Sequence, residues 1–491
     1  MKKQQLLLVS LLAGTLILLW ATVVQAQTLD KRWIGPRLLS NPGVEQVGQA
    51  VMIPDKYGYL HVFWSEVDPD DEINTIQYAR FDGELWEGPI DIFMAAPGST
   101  ISAYSASLDE TGDRIYLMWN EGNTGPVFLS SASVLHATSA HNWERPLRFN
   151  FPAFQLGLRI DSKGVMHLMY NNFYGAEPGI YYTSSKDRGL TWSAPLWIDP
   201  DIPVNSSPNV LKFYIDEQDG LHASWYYAAL DAADVWGQWI RYSHSLDGGE
   251  TWISPITIDE ADETPDELRI PYPGMIVAGN SVHMIWAGNN KTQREHRYSL
   301  DRGNTWSETT RVFGGLQGQA LGDGLAVDGA GRVHFFGQIR WPQGVYHAVW
   351  DGELGWSEPE IVYLIARDSA EGRNGRYHAH AVRAAVRAGN QLVVTFTDEA
   401  VGPMYVMYTT LEDVPPDSVL PTPTPTSLPM EATPTTAVST PEPTRTPLVG
   451  VQPSQATSAN VGSGFWLGVV PPTLLVTLIF LYRFFRSRRR H

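Results

Sequence analysis

Apolar and polar residues alternate in short runs along most of this chain. Leu60-His61-Val62-Phe63-Trp64, Val165-Met166-His167-Leu168-Met169-Tyr170 and Val282-His283-Met284-Ile285-Trp286 are three of them. Their period of two and their branched and aromatic content predict strands rather than helices. A glycine-bearing turn precedes each such run, at Gly58, Gly112, Gly164, Gly220, Gly279, Gly331 and Gly389. The first and last of these lie six intervals apart, about 55 residues per interval. A second landmark recurs seven times, at Trp33, Trp86, Trp143, Trp192, Trp252, Trp306 and Trp356, with proline often three residues on, as in Trp33-Ile34-Gly35-Pro36 and Trp86-Glu87-Gly88-Pro89. A repeat of that length holds four short strands, and four-stranded units repeated about an axis make a β-propeller. The fold expected is therefore all-β and seven-bladed, with six blades as the alternative because the first and last copies are degraded. Residues 33–39 read as the outer strand of a blade, whereas 404–410 read as a third strand with no fourth behind it. The first strand is thus expected to complete the last blade and remove the open edges.

The two ends follow other rules. Lys2 and Lys3, the apolar stretch 6–20 and the small residues before Ala26 make 1–26 a secretory signal peptide. The 47 residues 414–460 include 11 Pro, 10 Thr and 5 Ser, a composition that builds no core and predicts an extended, disordered stalk. An uncharged stretch, 465–482, is long enough to span a bilayer, and Arg483, Arg486, Arg488, Arg489 and Arg490 follow it. The reading is a transmembrane helix at 464–485 with a basic cytoplasmic tail at 486–491 and the propeller, 27–413, outside the cell. A removable sorting tail has the same shape.

Composition narrows the chemistry. The 491 residues include no cysteine, which excludes disulfides, zinc-thiolate sites and thiol nucleophiles. Of 53 acidic residues, Asp417, Glu431 and Glu442 lie beyond 413; of 35 basic ones, Lys2, Lys3, Arg445 and five tail arginines lie outside 27–413. The body therefore carries about −23, more than the −18 of the whole chain, and nucleic acid is not the expected partner.

Three segments share the octapeptide S-x-D-x-G-x-T-W. They are built on Ser185, Asp187, Gly189 and Trp192; on Ser245, Asp247, Gly249 and Trp252; and on Ser299, Asp301, Gly303 and Trp306. Serine and aspartate side chains can accept from the amides of a tight turn, glycine supplies positive φ, and tryptophan can wedge between sheets. These aspartates are thus expected to be structural rather than catalytic. His61, His167, His222, His283 and His334 all fall early in a second strand. A position that recurs in five blades is architectural, and the expectation is a partly buried histidine satisfied by a neighbouring blade rather than a metal ligand. Residues 33–410 resemble the Asp-box, sialidase-like propeller superfamily, through these octapeptides above all.

Residues free for chemistry should lie where the repeat breaks, on the face of the 2–3 and 4–1 connections. The first set is Glu66, Glu121, Asn171, Asn172, Tyr226, Tyr227, Arg294, Arg340, Asp398 and Glu399; the second is Glu267, Arg269, Tyr272, Arg373, Arg376, Tyr377, His378 and His380. The resemblance implies three arginines clamping a sugar carboxylate, a tyrosine nucleophile paired with glutamate, and an aspartate as acid/base. Leu268-Arg269-Ile270-Pro271 is similar to the family's arginine motif, with Leu268 in place of an aromatic residue. On that resemblance Arg269, Arg340 and Arg376 would form the clamp, Tyr377 or Tyr227 the nucleophile, and Glu267 or Glu399 its partner. No cofactor is expected. Calcium at the acidic runs 68–72 and 259–267 is the alternative to solvated loops. The function expected is a monomeric, membrane-anchored extracellular propeller that binds glycan or a surface protein. A sialidase-type hydrolase and an assembly scaffold are the alternatives.

Overall fold

The computed structural model describes residues 32–44, 46–67, 73–122, 125–173, 177–202, 206–229, 236–260, 272–288, 294–314, 316, 324–340, 343–365, 380–397 and 402–422. Its strands form seven four-stranded antiparallel sheets. Blade one is Val51–Pro54, Leu60–Val67, Asn74–Phe81 and Trp86–Met94; blade two is Ile101–Leu108, Arg114–Glu121, Val127–Ser133 and Leu147–Phe149. Blade three is Gln155–Ile160, Met166–Asn172, Gly179–Ser185 and Leu196–Trp197; blade four is Ser206–Ile215, Leu221–Ala229, Trp236–Ser245 and Ile256–Glu260. Blade five is Gly274–Ala278, Ser281–Ala287, Arg294–Ser299 and Thr310–Arg311; blade six is Gly324–Val327, Val333–Arg340, Gln343–Trp350 and Glu360–Leu364. Blade seven takes His380–Arg387, Gln391–Thr397 and Met404–Thr410 from the C-terminal side and Ile34–Leu38 from the N-terminal side. Ile34 pairs with Tyr408 and Leu38 with Tyr405, which is the expected closure. The first strands of successive blades touch one another round the whole ring, from blade one to seven and back to one.

Why the ring holds together is visible in its seven apolar clusters. Each lies at the junction of two adjacent blades, and each contains one of the seven recurrent tryptophans. Trp306 of blade five, for example, packs edge-on against Tyr242 of blade four at 4.9 Å. Second strands are buried on both sides because a neighbour covers each face, whereas fourth strands are mostly exposed. The octapeptides make the turns expected of them. Ser245 Oγ donates to Asp247 Oδ1 at 2.7 Å and accepts from Gly249 N at 2.8 Å, while Thr251 N donates to Asp247 Oδ1 at 2.9 Å. Ser185–Asp187 and Ser299–Asp301 repeat this pattern. Gly249 sits at φ +89° with the Tyr182 hydroxyl of blade three where a Cβ would be, so both conformation and space demand glycine.

The five histidines require a correction. They are fully buried, and their partners come from their own blade. His61 meets Asp55 at 3.1 Å and Tyr78 at 2.7 Å; His222 meets Asp216 at 3.0 Å and Tyr242 at 2.6 Å. His167 meets Asp161 at 3.4 Å and Tyr182 at 2.7 Å. In blades five and six a histidine replaces the tyrosine: His283 pairs with His296 at 3.1 Å and His334 with His347 at 2.8 Å. Except in blade five, where His283 meets Ser281 of its own strand instead, an aspartate ends the first strand, the histidine opens the second, and the third group lies on the third strand, so each of those four sets ties three strands of one sheet. At Asp216 the neighbouring blade joins as well. Arg302 of blade five donates to Asp216 of blade four through Nε at 2.7 Å and through a terminal nitrogen at 3.0 Å.

The body also runs further than 413. Val414 is buried, Asp417 N donates to the Ala388 carbonyl and Leu420 N to the Lys56 carbonyl, so 414–420 lie along the turns of blades seven and one. Among the described residues no helix is long and apolar enough to cross a membrane. The expected signal peptide and the expected span, 464–485, lie outside the described residues.

Candidate functional site

Two kinds of face bound the ring. One carries the 1–2 turns and the octapeptides, which repeat and are tied from blade to blade. The other carries the 2–3 and 4–1 connections, which do not repeat. The 4–1 connections alone run from five residues, 150–154, to fifteen, 365–379.

The sequence candidates divide sharply on this second face. Glu267, Arg269, Arg373, Arg376, Tyr377, His378, Asp398 and Glu399 lie outside the described residues, as do Leu268, Ile270 and Pro271 and the acidic runs 68–72 and 261–267. Arg340 ends a strand of blade six and His380 begins one of blade seven, but their side chains also lie outside. Seven candidates of the first set can be placed, and six of them, Glu66, Asn171, Asn172, Tyr226, Tyr227 and Arg294, are buried rather than presented to a ligand. Glu66 accepts from Trp64 Nε1 at 2.8 Å and from Asn41 Nδ2. Burial pushes its carboxyl up, against the pull of those two donors. Tyr227 is wholly buried and donates to Asp199 Oδ2 at 2.8 Å. Burial and then the Asp199 charge hold its hydroxyl protonated, the reverse of what a nucleophile needs. Arg294 is buried with a terminal nitrogen 3.4 Å from the Gln338 carbonyl. Glu121 is half-buried, and its Oε2 accepts from Ala96 N at 3.4 Å.

Two carboxylates that the sequence reading passed over stand beside them. Asp199 holds Tyr227, and Asp259 Oδ2 accepts from Trp286 Nε1 at 2.7 Å. Each follows an isoleucine at the end of a fourth strand, seven residues after an octapeptide tryptophan. That shared offset was the available signal. Burial raises the Asp199 carboxyl, with the Tyr227 hydroxyl and Arg241 opposing. Both aspartates reach across to an aromatic residue of the next blade, which makes their role one of joining blades near the open face. Among the described residues no group of three or more acidic or histidine side chains could hold a metal ion.

The open face also carries an aromatic ladder on blade three. Tyr170, Tyr181 and Trp197 stack in order, with ring centroids 5.5 and 6.1 Å apart and planes within 17°. Tyr170 is buried, Tyr181 is intermediate and Trp197 is 41% exposed. The ladder is held at its upper end, where Tyr181 Oη and Asn172 Nδ2 both donate to the Glu177 carbonyl, at 3.1 and 2.8 Å. The Trp197 indole crosses Gly179, where a Cβ would come within 2.5 Å of Nε1. An indole face is therefore fixed from below and open above.

No protein-family model matches the chain. No curated protein matches it either. Solved structures do resemble it. An ulvan lyase of a new polysaccharide lyase family is 14% identical with a TM-score of 0.47, over 75% of this chain and 96% of that one. A sialidase described as Hadza microbial is 12% identical with a TM-score of 0.40, over 75% of this chain and 66% of that one. An α-L-arabinofuranosidase of Fusarium graminearum is 10% identical with a TM-score of 0.41, over 64% of this chain and 94% of that one. The neighbours thus include a sialidase and other glycosidase and lyase propellers, and with TM-scores below 0.5 the likeness carries no argument about this chain.

Proposed function

We propose that this protein is an exported Asp-box propeller that binds carbohydrate on its open face, displayed at the cell surface by the apolar segment 464–485. The observation that supports this reading is the ladder ending in Trp197. The apolar face of a sugar ring stacks on an indole, and an indole held by two rings beneath it loses little freedom on binding. The burial and protonation of Tyr227 take support from a sialidase-type hydrolysis at that residue. The amino-terminal leader and the run of arginines after 482 support export and anchoring.

The test is Trp197→Ala, compared with wild type on a glycan array and by thermal melting. The substitution should abolish or weaken binding at least tenfold while leaving the melting midpoint nearly unchanged, because the residue is on an outer strand and half in solvent. Equal glycan binding by the folded variant would refute the assignment.

A further inference from the structure

The buried histidine sets differ in the number of protons their contacts require. A neutral imidazole carries one proton on its two nitrogens; the other nitrogen can only accept. In blades one, three and four a single ring lies between an aspartate and a tyrosine. The nitrogen facing the carboxylate holds the proton and the tyrosine hydroxyl donates to the other, so a neutral ring satisfies both. Blade five has two rings, and neutral ones still suffice. Trp356 Nε1 donates to His296 Nδ1 at 3.0 Å, His296 Nε2 to His283 Nδ1 at 3.1 Å, and His283 Nε2 to Ser281 Oγ at 3.1 Å.

Blade six is different. His334 Nε2 faces Asp328 Oδ2 at 3.1 Å, His334 Nδ1 faces His347 Nε2 at 2.8 Å, and His347 Nδ1 faces Glu360 Oε1 at 2.7 Å. With a carboxylate at each end, three contacts need three protons, and two neutral rings hold two. Both carboxylates are kept ionised. Asp328 also accepts from Arg332 Nε at 2.7 Å and from the amides of Ala330 and Arg332, each at 2.9 Å, and Glu360 is paired with Arg32. Burial opposes ionisation, but the bonds from His334 and Arg332 hold Asp328 below its ordinary range, and those from His347 and Arg32 hold Glu360 at about 2.

We infer that the row Asp328, His334, His347 and Glu360 binds one proton beyond those of two neutral rings, and that this proton latches the strand that closes the propeller. Without it, a ring lone pair would face a carboxylate oxygen at one end of the row. The side chains of Asp328 and His334 are wholly enclosed and His347 is buried, so water cannot relieve that contact. Burial weighs against charge on His347 and Glu360 weighs for it. An imidazolium shared by two rings and flanked by two carboxylates offsets the burial. Phe336 stacks on His347 at 4.5 Å and Trp33 meets it edge-on at 6.1 Å. From blade seven the junction receives Val382, Leu392, Val394 and Met407, all apolar. Among the described residues the further charges here are Arg332, tied to Asp328 and Asp413, and Arg32.

The Glu360 end is the one that yields. If the proton leaves, Asp328 keeps three other donors, whereas Glu360 keeps Arg32 alone among the described residues. Arg32 and Trp33 lead into the closing strand Ile34–Leu38, and the Arg32 carbonyl accepts from Thr409 Oγ1 at 3.0 Å. At the other end of the row Arg332 holds Asp413, just past the last strand, at 2.6 Å. The row therefore ties both segments that meet in blade seven to blade six. Unfolded histidines release their protons near pH 6.5. Above that the folded row retains a proton that the unfolded chain has lost. Its stabilisation is complete below about pH 6.5 and is lost as pH rises through the row's own pKa.

Glu360→Gln tests this, because an amide NH2 can donate to His347 Nδ1 while its oxygen still accepts from Arg32, and two ring protons then suffice. Melting of the full-length protein in detergent should show the wild-type midpoint falling relative to the variant between pH 7 and 9, with the folding equilibrium changing by up to about tenfold per pH unit. Tryptic cleavage after Arg37, inside the closing strand, should accelerate over the same range in wild type relative to the variant. Parallel pH slopes overturn the extra proton, and a shifting midpoint with unchanged Arg37 cleavage overturns the latch. If the variant does not fold, spectra of wild type labelled with 15N-histidine decide at about pH 7.5, where exposed histidines are mostly neutral. A persistent imidazolium upholds the proposal, and neutral rings throughout overturn it.

Discussion

Asp216 offers a measure of how much the buried polar sets contribute to the ring. Its carboxylate is almost wholly enclosed and accepts five donors: His222 Nε2 at 3.0 Å, Arg302 Nε at 2.7 Å and a terminal Arg302 nitrogen at 3.0 Å, and the amides of Gln218 and Gly220 at 2.8 and 2.7 Å. Burial alone would raise its pKa, but the bonds from His222, Arg302 and the two amides outweigh it and hold the carboxyl below its ordinary range. Asp216→Asn keeps the shape and one acceptor, which still serves the turn amides. The other oxygen becomes an NH2 group that faces two donors, His222 Nε2 and Arg302 Nε. Two charge-assisted bonds are lost, at roughly 1.5–3 kcal/mol each, or about 4 kcal/mol together. With an unfolding entropy of about 2.1 cal/mol/K per residue, a body of some 390 residues has about 0.8 kcal/mol/K, and the midpoint should fall by about 5 °C. The control is Asp109→Asn in blade two. Asp109 ends the equivalent strand but serves only its own turn, through Asp113 N, Arg114 N and Thr111 Oγ1. Calorimetric melting should place that variant within about 1 °C of wild type. If Asp216→Asn melts with Asp109→Asn, the link from turn to histidine to next blade adds nothing, and the reasoning is wrong.

Acid should weaken the propeller in two stages. Burial holds His244 and His283 down to about 4, so from about pH 6.5 to 4 the unfolded chain binds protons that the fold refuses, and stability falls with pH by up to about 1.4 kcal/mol per unit for each. Below pH 4 the bonded carboxyls of Asp187, Asp301 and Glu360, all held at about 2, must be protonated and stability falls again; a melting midpoint flat between pH 7.5 and 4.5 would contradict the first stage. Removing residues 27–45 deletes the outer strand of blade seven together with Trp33, and should produce aggregation or a large drop in melting midpoint, whereas an unchanged midpoint would sink the closure. Deleting 464–491 should release a folded propeller into the soluble fraction, and recovery of the truncated protein in carbonate-washed membranes would refute the anchor.

Much of this architecture was legible because its chemistry is local. In the octapeptides each bond spans two or four residues, so serine, aspartate, glycine and threonine appear together in the sequence. The tryptophans follow at fixed offsets and marked all seven junctions. The histidine sets were half legible. Asp55, Asp161, Asp216 and Asp328 each precede a histidine by six residues, but the third partner lies 17, 15, 20 or 13 residues beyond it, across a hairpin of varying length. Tyr227 was misjudged because second strands are covered on both faces, and alternation does not distinguish a covered strand end from an open one.

Closure by the first strand has a consequence for how the chain is made. Ser40 meets Met404 across 364 residues, and Thr409 meets Arg32 across 377. Nothing can occupy the outer place of blade seven until synthesis has passed residue 410, so the amino-terminal strand must wait, unpaired, through the assembly of six blades. The entropy of so long a loop grows only as its logarithm, which leaves the equilibrium little affected but makes the final docking the slow, non-local step. Until then both an orphan strand and an open sheet edge are exposed to other chains. A permuted gene that joined the two ends and opened the ring between two blades would form blade seven early, and would trade this late vulnerability for one at a junction of the experimenter's choosing.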